Sequence, residues 1–258
     1  MNSVKKYERV AIEAAFIGAK ILTKYFQKLK GFDIKKGAGI VTKADKESEK
    51  AIANFLSKKT PGFSILAEEN GLRKKSADKW IFDPLDGTTN FFHKIPHYNI
   101  SIALELDGEI VVGVVYNPTN KELYHCIKKG GAYRNNKRIH VSKNKDITTS
   151  MLATGFAYMH GSKLDEPLKV FKRFTDRSHG IRRFGAAALD LCYVASGVYE
   201  GFYEKTLQPW DVAAGALLIN EAGGKLSDYK GNEFSIYGQN IVASNGLIHK
   251  DMIEIINR

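Results

Sequence analysis

Carboxylates recur in this sequence at the ends of short apolar runs, where strands would deliver them to one place. Glu68 and Glu69 follow the run 63–67, Asp83 and Asp86 follow Trp80-Ile81-Phe82, and Asp45 follows Ile40-Val41-Thr42. Asp211 follows Gln208-Pro209-Trp210 and opens a helical segment. Acidic groups massed in this way repel one another unless cations sit among them. Hard cations with oxygen ligands, Mg²⁺ above all, suit the inventory. No histidine or cysteine spacing argues for zinc. His93 and His97 are four apart, but Pro96 breaks the helix that would align them, so they read as surface or packing residues.

The segment 83–89 makes chemical sense as a unit. Asp83 and Asp86 can present two carboxylates to one cavity across a tight turn that Pro84 stiffens. The Leu85 carbonyl is a further hard ligand, and Gly87 lets the backbone come close to a bound group. Thr88 and Thr89 open a short helix, whose amides are a natural seat for an anion, and the Thr88 hydroxyl can orient a water. Metal-binding carboxylates followed at once by phosphate-binding amides are what metal-assisted phosphoryl transfer requires. Taken singly, each piece has a plainer reading. Asp-x-x-Asp-Gly can be a capped turn, Glu-Glu-Asn a solvated loop, and Trp210-Asp211 an aromatic packed on a helix start. Their order and their flanking strands favour the chemical reading.

Steps of three and four among Val4, Tyr7, Ala11, Ala14, Ile17, Ile21, Tyr25 and Leu29 predict a first helix over 4–29, ended by Gly31. Residues 35–39 read as a loop, and a second helix is expected over 45–58. Short strands follow at 63–67 and 80–82, then strands at 99–106, 111–116 and 123–127. Asp107-Gly108 marks the first of the hairpins between them. After Lys145 the pattern alternates: strands at 151–154, 181–184, 199–204, 225–228 and 241–243, and helices at 166–176, 186–196, 210–222 and 247–257. The expected organisation is an N-terminal α+β half with an antiparallel sheet, residues 1–142, carrying most of the metal ligands. An α/β half, residues 143–258, follows it and carries Asp211.

A chain of 258 residues can bury a sizeable core, and 43% hydrophobic with 26% charged residues is ordinary for a globular protein. No apolar stretch is long enough for a membrane span and Glu8, Glu13 and Lys20 interrupt any signal-peptide core, so the expected location is the cytoplasm. Two isolated cysteines, Cys126 and Cys192, fit a reducing compartment. The net charge of +11 reads as a lysine-rich solvated surface that also draws in phosphate esters. Its densest cluster, 135–145, lacks the interleaved aromatics of a base-stacking platform.

Five motifs together resemble the inositol monophosphatase family, among the lithium-sensitive, magnesium-dependent phosphatases. They are Val41-Thr42-Lys43-Ala44-Asp45, Ala67-Glu68-Glu69, the run from Trp80 to Phe91 around Asp83-Pro84-Leu85-Asp86-Gly87-Thr88, Trp210-Asp211-Val212-Ala213-Ala214-Gly215, and Glu221-Ala222-Gly223-Gly224. The stretch from Arg182 to Leu191 is similar to the bacterial branch. The resemblance covers nearly the whole chain and implies a layered α/β/α/β/α sandwich, the sugar phosphatase fold, usually a homodimer. It implies that Glu68, Asp83 and the Leu85 carbonyl hold one Mg²⁺, that Asp83, Asp86 and Asp211 hold a second, and that Glu68 helps a weaker third. Thr88 and Glu68 would orient the attacking water, with Asp45 behind Thr88. Gly87 and Thr88 amides would seat the phosphate, and Glu204 would face the substrate's hydroxyls beside Ala187. The expected reaction is hydrolysis of a small polyol or sugar phosphate, foremost inositol 1-phosphate, with no covalent enzyme intermediate. Sister specificities are fructose 1,6-bisphosphate, histidinol phosphate and 3′-phosphoadenosine 5′-phosphate, to be decided near Glu204 and in 158–180. An RNA or transcription-machinery role is the alternative of a different class. Gly39 stands where many relatives carry an acidic residue, and the basic loop residue is Lys35 or Lys36.

Overall fold

The computed structural model describes residues 2–35, 39–73, 76–156 and 161–258. Two long helices open it, α1 (Asn2–Tyr25) and α2 (Lys43–Lys59), joined through a small antiparallel pair, β1 (Asp33–Lys35) and β2 (Gly39–Val41). The expected loop at 35–39 is therefore partly strand, while residues 36–38, Lys36 among them, lie outside the described residues. Helix α1 stops four residues before Leu29, and Gln27 takes a left-handed φ of 66° just beyond it.

Strands β3 (Ser64–Ala67), β4 (Gly71–Arg73), β5 (Lys79–Asp86), β6 (Asn99–Leu106), β7 (Glu109–Asn117), β8 (Glu122–Ile127), β9 (Gly131–Arg134) and β10 (Lys137–Ile139) form one sheet, and α3 (Thr88–Phe92) follows β5. Its order is β10-β9-β8-β7-β6-β5-β3-β4. The sheet is antiparallel as expected except where β3 lies parallel to β5, which brings the ends of both strands, and their carboxylates, to the same edge. The second half supplies β11 (Met151–Thr154), α4 (Asp165–Thr175), β12 (Gly180–Arg182), α5 (Ala187–Ala195), β13 (Gly201–Lys205), α6 (Pro209–Glu221), β14 (Lys225–Ser227), β15 (Asn240–Ser244) and α7 (His249–Ile256). Its mixed sheet runs β12-β11-β13-β15-β14.

Three apolar clusters hold five layers together. Ala11, Leu22, Ile52 and Leu56 of α1 and α2 pack on Trp80, Phe82 and Ile102 of the large sheet. Leu189, Leu191, Leu217 and Leu218 of α5 and α6 fill the space between the two sheets with Ile81, Val115 and Phe202. Val170 and Phe174 of α4 and Met252 and Ile255 of α7 cover the outer face of the small sheet. Removing side chains of this size from water is the main stabilising term, about 1.5–3 kcal/mol each. The arrangement is the α/β/α/β/α sandwich. Among the described residues, no helix is long and apolar enough to cross a membrane.

Candidate active site

The expected tight turn at 83–86 is instead the end of a buried strand. Strand β5 continues to Asp86, and its register against β6 shifts between Asp83, opposite Ser101, and Asp86, opposite Asn99. Three steps on one strand against two on the other make a bulge. Pro84, with no N–H to offer a ladder, belongs at such an irregularity. The bulge re-aims Asp83 and Asp86, and the Leu85 amide donates to Asp83 Oδ1 at 2.8 Å. Both acids are buried, at 3% and 8% exposure, so they do not point into solvent.

Gly87 follows with φ +87° and starts α3. A side chain there would be strained by the backbone and would meet the His97 carbonyl at 3.0 Å. Helix α3 is only five residues, yet it is pinned: Asn90 Nδ2 donates to the carbonyls of His97 and Phe184 at 2.8 and 2.7 Å. His97 packs its ring 4.8 Å from Phe184, and burial pulls its pKa down to about 4, so it is the packing residue expected.

The remaining acids arrive from three other elements. Asp45 lies in the first turn of α2, its Oδ2 accepting from the Thr42 amide and hydroxyl and its Oδ1 from the Thr88 hydroxyl at 2.8 Å. Glu68 and Glu69 follow β3, and Lys35 Nζ bridges them, 2.8 Å from Glu68 Oε1. Asp211 sits in the first turn of α6 and accepts from the Gln208 amide at 2.7 Å. Ser101 of β6 donates to the Trp210 carbonyl, tying the start of α6 to the strand beside Asp83. The Asp86 carboxylate accepts from Asn99 Nδ2 and from the Ala188 amide at the start of α5.

Electrostatics shows that these groups share one space. Burial pushes the Asp83 carboxyl well up, and Glu68, Asp86 and Asp211 add to it in that order. Burial raises Asp86 to about 6, against the hydrogen bonds from Asn99 and Ala188. Burial, then Asp86, and more weakly Glu68, raise Asp211. Burial pushes Glu69 to about 7, with the Lys35 hydrogen bond opposing. For Lys35 itself burial works downward, but Glu68 and Glu69 outweigh it and hold the ammonium protonated. Asp190 of α5 was not foreseen. It is 1% exposed, its Oδ1 has no partner among the described residues, and burial raises it, with Glu204 and then Asp86 adding to the rise. Glu204, on β13, thus lies near Asp190, and the Ala187 amide, at the first position of α5, faces the Asp86 carboxyl.

Do these residues fit a divalent cation? Among the described residues no three acidic, histidine or cysteine side chains already converge as a finished ligand set. The carboxylates are held instead by the hydrogen bonds just named and by Lys35. Their chemistry fits nonetheless: four mutually repelling carboxylates and the Leu85 carbonyl are all hard oxygen donors. A cation taken up at Glu68 competes there with the Lys35 ammonium.

A hydroxyl carries one proton. Thr88 Oγ1 lies 2.8 Å from Asp45 and 3.0 Å from the Leu85 carbonyl, and the carboxylate is the stronger acceptor. That leaves the Thr88 oxygen as an acceptor for a water's proton. Thr88→Val is expected to cost about 10²-fold in turnover and about 1–3 kcal/mol of stability, because a buried acceptor loses its donor. Thr88→Ser should keep most of both. Steady-state rates and denaturant melts of the two variants check this, and an active Thr88→Val would remove Thr88 from the reaction.

The fold and the acidic centre define a phosphatase, an enzyme that hydrolyses phosphoric monoesters. The chain belongs to the inositol monophosphatase family, whose model matches residues 3–258. It is 40% identical over 253 residues to the inositol-1-monophosphatase of Rhizobium meliloti, covering 96% of this chain and 95% of that one. It is 36% identical to the Nus factor SuhB of Pasteurella multocida, covering 96% and 94%. The crystal structure of extragenic suppressor protein suhB from Bartonella henselae superposes with a TM-score of 0.92 at 40% identity, over 97% of this chain and 98% of that one. The inositol monophosphatase of Anabaena follows at 0.87 and 36%, over 99% and 96%.

Proposed function

We propose that the protein hydrolyses the phosphate monoester of a small polyol, inositol 1-phosphate foremost, with Mg²⁺ as its cofactor. The observation that carries this reading is the mutually repelling set of buried Asp83 and Asp86 with half-buried Asp211 and Glu68, beside the start of α3. Glu68, Asp83, the Leu85 carbonyl, Asp86 and Asp211 would hold two to three ions, whose charge offsets this repulsion, lowers the pKa of a water and favours the leaving oxygen. The chain's own residues do the rest. Gly87 and Thr88 amides seat the phosphate. Thr88, its own hydroxyl proton held by Asp45, accepts a hydrogen bond from the attacking water, and Glu68 helps to orient that water. Glu204 accepts from the substrate's hydroxyls beside Ala187. No side-chain nucleophile paired with a base is called for. Lithium sensitivity, a cytoplasmic location, a homodimer and a meeting of the halves 1–142 and 143–258 at this site belong to the same proposal.

The test is phosphate release from inositol 1-phosphate, fructose 1,6-bisphosphate, histidinol phosphate and 3′-phosphoadenosine 5′-phosphate, with Mg²⁺ and with excess chelator. Release is expected to be fastest from inositol 1-phosphate and to vanish in chelator. Activity that persists in chelator would overturn the metal's role, and a faster sister ester would reassign the substrate. The residues of 158–180 bear on that choice, and 157–160 lie outside the described residues.

Relatives called Nus factor SuhB favour one addition, a contact with RNA or the transcription machinery. Binding that weakens with salt but survives Asp83→Asn would separate it from hydrolysis.

A further inference from the structure

Gly155 follows the last residue of β11, and β11 runs parallel to β13, with Thr154 opposite Tyr203. Its neighbour across the sheet is therefore Glu204. A Cβ built on Gly155 would lie 2.3 Å from Glu204 Oε2, 2.4 Å from Oε1 and 2.5 Å from Cδ, where ordinary contact begins at 3.4 Å. The position does not need glycine for its backbone, because φ is not in the left-handed region. It needs glycine for space, and the space is filled by one carboxylate. Glu204 is 6% exposed and stands next to Asp190, which also senses Asp86. The seat on Gly155 thus fixes a buried acceptor at a set distance from the acidic centre.

We propose that Gly155 is a specificity-determining residue: its absent side chain is the seat that places the Glu204 carboxylate for the hydroxyls of a polyol phosphate. The inference rests on the phosphatase reading and on Glu204 as the hydroxyl acceptor. The phosphate end of the site is not involved. A methyl group at 155 pushes the far end of a side chain rather than backbone, so the fold yields there by moving Glu204 about 1 Å to reach ordinary contact. An acceptor moved that far loses its bond to a substrate hydroxyl, worth about tenfold in affinity.

The experiment compares two esters in Mg²⁺: inositol 1-phosphate, and 4-nitrophenyl phosphate, which has no hydroxyls for Glu204 to accept from. Gly155→Ala is expected to raise KM for inositol 1-phosphate about tenfold with kcat nearly unchanged. It should leave kcat/KM for 4-nitrophenyl phosphate within about twofold. The double variant Gly155→Ala with Glu204→Asp, one methylene shorter at the point of conflict, relieves the clash but withdraws the carboxylate from the hydroxyls, so it should keep the raised KM for inositol 1-phosphate and the unchanged kcat/KM for 4-nitrophenyl phosphate. It should also fold even if the single variant does not. Equal losses on both esters, no loss on either, or a double variant that binds inositol 1-phosphate as well as the unaltered protein would overturn the inference. If the unaltered protein released phosphate from neither ester, the phosphatase reading would fall and take this one with it.

Discussion

Asp83→Asn is expected to lower phosphate release by at least about 10³-fold while the protein stays folded. Several kcal/mol of transition-state stabilisation come from metal ions in such sites, and 1.36 kcal/mol is a factor of ten. Asp83 is the acid whose environment includes all three of the others, so in the proposed site it is the ligand shared by the two principal ions. The substitution is nearly isosteric, and an amide oxygen still accepts from Leu85 N as Oδ1 does now. It also removes one of several charges that burial and repulsion disfavour. In metal-free buffer at neutral pH the variant should therefore melt no lower than the unaltered protein. Rates with inositol 1-phosphate and thermal melts without Mg²⁺ check the two halves of the expectation. Near-normal turnover would strip Asp83 of its role, and collapse of the fold would show that the acid is structural.

Much of this was legible in the sequence because the chemistry is local there. Asp83, Leu85, Asp86, Gly87 and Thr88 are consecutive or nearly so, and the strand before them and helix after them have ordinary patterns. The parallel pairing of β3 with β5 was not legible, since period-two patterns do not state which way a neighbour runs. The same holds for the bulge, which looks like a turn when Pro and Gly lie three residues apart. Helix α2 carried a signal that went unread. Asp45, Glu49, Ile52 and Leu56 form one buried stripe whose first two members are acidic. Glu49 accepts from the Glu69 amide, Asn70 and Arg73, so it shapes the turn that presents Glu68 and Glu69. An acid on the apolar face at i+4 from Asp45 was the available clue. Asp190 had no comparable clue, because its neighbours Glu204 and Asp86 come from distant strands. The choice between Lys35 and Lys36 was open in the sequence; Lys35 bridges the two glutamates, and Lys36 lies outside the described residues.

Removing Mg²⁺ should cost more stability the higher the pH. Asp86 is raised to about 6 in the folded protein, and Asp83 and Asp211 are raised well above the ordinary carboxylate range, in each case by burial first. In the unfolded chain the same groups titrate near 4. Between those values the folded protein holds more protons than the unfolded one, so the cluster's contribution to stability falls as pH rises from about 4 through 6 and beyond. A divalent ion reverses the sign, because it binds the ionised carboxylates only in the folded protein. At a free Mg²⁺ concentration near 100 times its Kd the gain is about 2.7 kcal/mol, or about 5–10 °C in Tm for a chain of this size. At pH 5 protons compete for the same oxygens and the gain should shrink to a small part of that. Thermal melts with Mg²⁺ and with chelator, run at pH 5 and pH 8 at constant ionic strength, measure the difference directly. A gain equal at the two pH values would mean that the ion binds somewhere other than these buried acids. In Asp83→Asn the gain at pH 8 should largely disappear, tying the pH effect to the proposed ligands.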